Sequence, residues 1–308
     1  MRILVLGAGA LGGYFGGKLL EGGADVEFLV RPRRAAQLKE RGLVVKAQER
    51  EVRRPAKTVQ AGEVGGGYDF VLLSCKAYDL DSALEAIAPA VTGDCAVVPL
   101  LNGVRHVERM SERLGERHVF GGLTAVNAAL SPEGDVVQSP VRIEMTGFGE
   151  LDGTVSERCL ALQKAFAAGG MKADASAAIM ASMWVKFVGF GAIATISTLM
   201  RARAGAIARA AATPALIDSV LAEVSSVATA EGYPPPDNVR DVVRGLYSQP
   251  DSKYGPSILV DMENGSTTEG DHTIGDLVDR AVRHGLAVPI LTAARCNLQI
   301  YEAQRRAS

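Results

Sequence analysis

The run Gly7-Ala8-Gly9-Ala10-Leu11-Gly12 follows directly on the strand-forming residues Arg2-Ile3-Leu4-Val5-Leu6 at the start of the chain. This GxGxxG turn leads into a helix-forming stretch closed by Gly22-Gly23, and a second strand pattern, Asp25 to Arg31, comes next. In a β-α-β unit of this kind each glycine has its own task. The first permits the tight turn, the second lets the backbone approach a pyrophosphate, and the third lets helix and strand pack closely. The free N–H groups and partial positive charge of the helix N-terminus complete an anion site. The motif predicts dinucleotide binding through Gly7, Ala8, Gly9, Ala10, Leu11 and Gly12; the other reading is a glycine turn with a structural role only.

The end of the second strand indicates which dinucleotide. NAD sites usually carry an acid there for the ribose hydroxyls, whereas NADP sites favour a cation for the 2′-phosphate. Here the strand ends Phe28-Leu29-Val30-Arg31, with Arg33 and Arg34 close behind, and Glu27 lies earlier, where it points aside. Guanidinium groups grip a phosphate monoester bidentately. NADP(H) is the expected cofactor, with a solvated basic helix start as the alternative for the arginines.

From residue 1 to about 150, strand and helix patterns alternate with short loops, the signature of a parallel α/β sheet. Leu43–Ala47, Tyr68–Ala77, Cys95–Val104 and the runs over 118–130, 136–140 and 142–149 read as its further strands. After a helix at 156–170 and a strand at 171–176, helical segments over 177–232, 237–248 and 270–305 fill the remainder. The fold class is therefore α/β: a Rossmann-type dinucleotide-binding domain over 1–176, then an all-helical domain over 177–308.

Composition narrows the function classes. The 308 residues carry 33 Lys plus Arg and 35 Asp plus Glu, a formal net charge of −2, which gives no electrostatic reason to expect nucleic acid as a partner. The four cysteines and four histidines are scattered, so neither a disulfide framework nor a metal site is expected, and reduced thiols in a cytoplasm are the default. The apolar run Phe187 to Met200 is shorter than the roughly 20 residues that span a bilayer, so it reads as a buried core helix and no membrane is implied.

Several motifs in order carry a resemblance over essentially the whole chain. They are the N-terminal GAGALG, the Arg after the second strand, Ser74-Cys75-Lys76-Ala77, Leu101-Asn102-Gly103, Lys186 in the first long helix of the second half, Ser257 followed by Glu269, and His284-Gly285-Leu286-Ala287-Val288-Pro289. In this spacing the chain resembles the ketopantoate reductase family (2-dehydropantoate 2-reductases, PanE/ApbA). The resemblance implies NADPH-dependent reduction of a 2-oxo acid, ketopantoate to pantoate in pantothenate biosynthesis. A homodimer is left open.

The resemblance also assigns roles. Lys186 lies in the largely apolar helix Met183-Trp184-Val185-Lys186-Phe187-Val188-Gly189-Phe190, where a charge must snorkel, pair or face a cleft. By resemblance it is the general acid that protonates the ketone oxygen and steadies the developing alkoxide. Glu269, expected near the start of the last long helix, accepts a hydrogen bond from the substrate hydroxyl and pairs with Lys186; a helix-terminal acid meeting the dipole is the other reading. Lys76 contacts cofactor and substrate, or is a strand-end lysine. Asn102 holds the nicotinamide or the ketone, or serves turn chemistry alone. Ser257 binds the substrate carboxylate, and Asp261 is a nearby acid.

One departure bears on the substrate. Family members commonly carry Asn four and eight residues after the lysine, on one helix face; here those positions are Phe190 and Ala194. The substrate wall they contribute is expected to be apolar. A reductase for another branched or aromatic 2-oxo acid is the alternative this raises. A non-catalytic NADP(H) sensor is a third reading, and retention of Lys186 with Glu269 speaks against it.

Overall fold

The computed structural model describes residues 1–47, 50–138 and 145–307. The expected strands over 136–140 and 142–149 fall partly outside that set. Two compact units divide the chain: Met1–Leu101 with His106–Met180, and Asn102–Arg105 with Ala181–Ser308. The sequence predicts a single cut at 176. Ile179 remains with the first unit because it is buried against the backbone of Gly149, where a Cβ would stand 3.3 Å from it.

The first unit contains, in order, β1 (Arg2–Leu6), α1 (Ala10–Glu21), β2 (Asp25–Leu29), α2 (Pro32–Arg41), β3 (Leu43–Ala47), β4 (Arg50–Arg54), β5 (Lys57–Val59) and β6 (Phe70–Leu73). It continues with α3 (Leu80–Ile87), β7 (Ala96–Pro99), α4 (Arg105–Leu114), β8 (Phe120–Ala125), β9 (Ala128–Leu130), β10 (Val136–Gln138), β11 (Met145–Glu150), α5 (Glu157–Ala168) and β12 (Asp174–Ala175). Its main sheet is parallel in the order β5-β2-β1-β6-β7. The chain winds outward from β1 through β2 to β5, then returns to the other side of β1 with β6. That reversal places the ligand crevice of an open α/β sheet at the carboxyl ends of β1 and β6.

Not every expected strand joins this sheet. β3 leaves it and pairs antiparallel with β4 and parallel with β10, in the order β4-β3-β10-β9. The cause lies in α1, whose glycines let that second sheet lie directly on the helix. A Cβ at Gly13 would stand 2.5 Å from Val136 Cγ2, and one at Gly17 2.8 Å from Val45 Cγ2. A third sheet, β12-β11-β8, mixes parallel and antiparallel pairs. Phe15, Phe166 and Phe148 meet at ring distances of 5.8 and 5.6 Å and fill the core beneath α1 and α5.

The second unit is helical: α6 (Ile179–Met200) from Ala181 onward, α7 (Ala204–Ala208), α8 (Thr213–Ala230), α9 (Asn238–Leu246), α10 (Ser257–Glu263), α11 (Ile274–Arg283) and α12 (Pro289–Ala307). The stretch expected as one helix over 270–305 is two, because Gly285 at φ +65° ends α11 and Pro289 opens α12. The apolar run from Phe187 is likewise part of a longer element. α6 has 22 residues, long and apolar enough by length and composition to cross a membrane. Its Met183, Trp184, Phe187, Val188, Ala192, Ala194 and Ile196 are nonetheless buried within the protein, as in a core helix. Buried Arg280 pairs with Asp276 at 3.0 Å and Glu231 at 2.5 Å, and lies over the Trp184 ring, fixing α6 close to Lys186.

Candidate active site

The glycine turn has the geometry its spacing implies. Gly7 adopts φ +89°, a conformation suited to glycine, and its N–H donates to the Leu29 carbonyl at 2.9 Å. A Cβ at Gly12 would stand 2.2 Å from the Gly7 carbonyl oxygen and 2.4 Å from Ser74 Oγ, so the helix rests against the strand ends only without one. At Gly9 no described atom lies within 4 Å of where a Cβ would be, and no described side chain caps α1 there. The backbone is thus open at the residue where a pyrophosphate would approach, and the turn fits a dinucleotide. Ser74 locks it by donating to the Leu6 carbonyl at 2.6 Å, a role the sequence motif around it did not disclose.

The three arginines separate into different tasks. Arg31 sits just beyond β2 with an exposed side chain, 3.4 Å from Asp79. Arg33 is exposed, whereas Arg34 is partly buried. Arg34 donates to the Ala8 carbonyl at 3.0 Å and the Gly134 carbonyl at 2.8 Å, tying α2 to the glycine turn. Burial lowers the Arg34 pKa, and among the described residues its Nη2 is buried without a hydrogen-bond partner. Glu27, the nearest acid in β2, is engaged by Arg2 at 3.0 Å and the Tyr68 hydroxyl at 2.5 Å. Lys76 follows β6, and its carbonyl accepts from the Asp79 N–H at 2.9 Å.

In the helical unit, Lys186 Nζ donates to Asn102 Oδ1 at 3.0 Å. Its side chain is partly buried, and withdrawal of the ammonium from water pushes its pKa down to about 8, against the opposing pull of the Glu269 carboxylate. The direct partner of Lys186 is therefore Asn102, while Glu269 acts on it through its field. The helix expected from about residue 270 begins only at Ile274, so Glu269 precedes it by five residues. Glu269 lies in the non-helical segment between α10 and α11, and its carbonyl accepts from Thr273 Oγ1 at 2.8 Å. Thr268 beside it donates its N–H and hydroxyl to Glu302 at 2.7 and 2.9 Å, anchoring that segment to α12.

The remaining expected residues are placed differently. Ser257 is the exposed first residue of α10, and Phe190 is partly buried one turn beyond Lys186. Ala194 has no exposed surface; it packs with Ile258, Met262, Ile274 and Leu298 in a core cluster, so it forms no open substrate wall. The reason is that α10, α11 and α12 all close on this part of α6. Sequence reasoning also passed over His272, which packs on the Asn102–Gly103 turn. Among the described residues no group of three or more His, Cys, Asp or Glu side chains could hold a metal ion.

A dinucleotide-type α/β unit joined to a helical unit with a withdrawn lysine defines a class of oxidoreductase, and the comparisons agree. The family profile for ketopantoate reductase PanE/ApbA matches residues 3–153, and that for the ketopantoate reductase PanE/ApbA C terminal matches residues 178–299. The chain is 36% identical to the uncharacterized oxidoreductase YkpB of Bacillus subtilis, over 99% of this chain and 100% of that one. It is 27% identical to a 2-dehydropantoate 2-reductase of Mesorhizobium japonicum, over 91% and 93%. Among solved structures, a PanE/ApbA family ketopantoate reductase from Ralstonia eutropha aligns with TM-score 0.89 at 25% identity, covering 99% and 100%. A D-mandelate dehydrogenase with NADH and anilino(oxo)acetate aligns with TM-score 0.88 at 23% identity over 99% of each chain. The chain belongs to the ketopantoate reductase PanE/ApbA family of oxidoreductases.

Proposed function

We propose that this protein reduces a 2-oxo acid to the 2-hydroxy acid with NADPH, and that ketopantoate is its leading substrate, a step of pantothenate formation in the cytoplasm. The observation that carries the reading is the Lys186 ammonium, oriented by Asn102 Oδ1 at 3.0 Å with its pKa drawn down to about 8. A donor with a pKa near the operating pH is largely protonated yet gives up its proton readily. A dinucleotide held by its pyrophosphate at the glycine turn would supply the hydride from its nicotinamide. Lys186 gives its proton to the carbonyl oxygen, and its charge steadies the alkoxide as it develops. Glu269 accepts a hydrogen bond from a substrate hydroxyl, and Ser257 receives the carboxylate. Arg31, exposed beyond β2, takes the 2′-phosphate and makes NADPH the preferred cofactor. Lys76, at the carboxyl end of β6, adds a cation beside the cofactor.

Phe190, one turn from Lys186, supports a second reading in which a branched or aromatic 2-oxo acid is the better substrate. A panel of 2-oxo acids incubated with NADPH and with NADH, followed at the nicotinamide absorbance, tests both. Oxidation of NADPH by ketopantoate in preference to the panel supports the first; preference for an aromatic 2-oxo acid supports the second. Tight NADPH binding with no oxidation by any 2-oxo acid overturns both in favour of a sensor.

A further inference from the structure

We infer that His272 is a positioning residue: its imidazole, hydrogen-bonded to the Asn102 backbone, holds the Asn102–Gly103 turn so that the Asn102 amide oxygen meets the Lys186 ammonium. The inference rests on the reading of Lys186 as proton donor.

Three observations converge on it. The imidazole makes a hydrogen bond to the Asn102 backbone, of the kind that favours the protonated ring nitrogen, so an N–H donates to the carbonyl. The packing is equally specific. Gly103 stands at φ +83°, and a Cβ there would lie 3.4 Å from the His272 carbonyl oxygen, 3.7 Å from His272 Cδ2 and 3.7 Å from Phe187 Cε2. The turn is therefore gripped between His272 and the residue that follows Lys186 in α6. The third observation is the segment itself, since Glu269 and His272 belong to the single stretch that Thr273 and Thr268 fasten. One short segment thereby sets both groups that act on the ammonium, Glu269 directly and Asn102 through its backbone.

The imidazole is suited to this and unsuited to proton transfer. Burial, with the positive Arg105 nearby, pushes its pKa down to about 4. At neutral pH it is uncharged and carries one N–H, which the Asn102 carbonyl fixes in place. A charged ring there would add a second cation beside Arg105.

The test compares His272→Phe, which keeps a ring but loses the donor, with His272→Gln, which keeps an N–H donor. Turnover is measured on the best 2-oxo acid, with the pH profile and thermal midpoint recorded for each. The expected result is a kcat about 10–100-fold lower for H272F, a KM for NADPH unchanged, and a basic limb moved to lower pH, as for a lost transition-state alignment. H272Q should recover most of the turnover. H272F within about threefold of the wild type, or H272Q as slow as a folded H272F, overturns the assignment. A measurement on the unaltered protein stands beside these should H272F fail to fold or the wild type reduce no 2-oxo acid. Nitrogen-15 spectra of the imidazole should show a single neutral tautomer at about pH 6, where a free histidine is already largely charged. A charged ring or two interconverting tautomers there overturns the inference irrespective of substrate.

Discussion

Lys186 Nζ and Asn102 Oδ1 lie 3.0 Å apart although 84 positions separate them in sequence. The pair orients an ammonium without neutralising it, because an amide oxygen carries no net charge. The Glu269 carboxylate opposes the shift through its field, and burial dominates the balance. A lysine in a direct ion pair would be a far weaker acid than one with a pKa of about 8. Proton donation to a carbonyl oxygen depends on this difference.

Lys186→Ala should lower kcat by on the order of 10²–10⁴, the span of a positioned proton donor. The affinity for NADPH, measured by fluorescence titration, should stay close to that of the wild type because the residue serves the carbonyl. A variant with near-normal turnover on its best substrate would remove Lys186 from the mechanism.

The pH dependence follows in sign. The active form of a proton donor is the protonated one, so kcat for reduction should be flat below the Lys186 pKa and fall as pH rises through about 8. The reverse oxidation, which needs the neutral amine as base, should rise over the same range. Asn102→Asp would put a carboxylate where the amide oxygen now stands, restoring a direct ion pair and raising the lysine pKa. Its basic limb should move upward while kcat falls; a limb that stays near 8 or moves down would contradict the electrostatic account.

Arg31 and Arg34 should behave differently despite lying three positions apart. Arg31→Ala should weaken NADPH by roughly 1–3 kcal/mol, the worth of a charge-assisted hydrogen bond, while leaving NADH and the thermal midpoint nearly unchanged. Arg34→Ala removes the ties to the Ala8 and Gly134 carbonyls. It should lower the thermal midpoint and weaken both cofactors alike. Isothermal titration with each cofactor separates the cases, and equal losses for NADPH and NADH in Arg31→Ala would argue against a phosphate role.

What was legible in the sequence is what short-range chemistry decides. The turn from Gly7 to Gly12, the helix behind it and the strand from Asp25 follow from local spacing. Lys186 stood out because a charge in an apolar helix needs an explanation. The tasks of Arg34 and Ser74 were hidden, since each depends on a carbonyl brought near by the fold, Ala8 for one and Leu6 for the other. The departure of β3 from the main sheet was equally hidden: its partner β10 is distant in sequence, and the glycines of α1 that admit the second sheet look locally like poor helix formers. Residues 270–305 read as a single helical stretch because they share one apolar texture, and only Gly285 and Pro289 mark the break inside it.

The substitutions after Lys186 give the final prediction, and the structure divides the pair. Ala194 has no exposed surface and is enclosed by Ile258, Met262, Ile274 and Leu298, whereas Phe190 retains some exposure at the edge of the same cluster. Ala194→Asn would bury an amide among aliphatic side chains. Leaving it unpaired costs about 1–3 kcal/mol, with crowding added. The thermal midpoint should fall by about 2–4 °C for each kcal/mol lost in a chain of this size, with little change in substrate preference. Phe190→Asn should instead keep most of the stability and change specificity. Branched and aromatic 2-oxo acids should lose about 1–3 kcal/mol in kcat/KM relative to ketopantoate, because an apolar contact is worth no more than that. Measuring kcat/KM for ketopantoate and an aromatic 2-oxo acid on both single variants, beside their melting curves, tests the division. An Ala194→Asn protein that melts like the wild type and gains activity on ketopantoate would show that position 194 faces substrate after all. In that event the enclosed core around α6 would have to open during turnover.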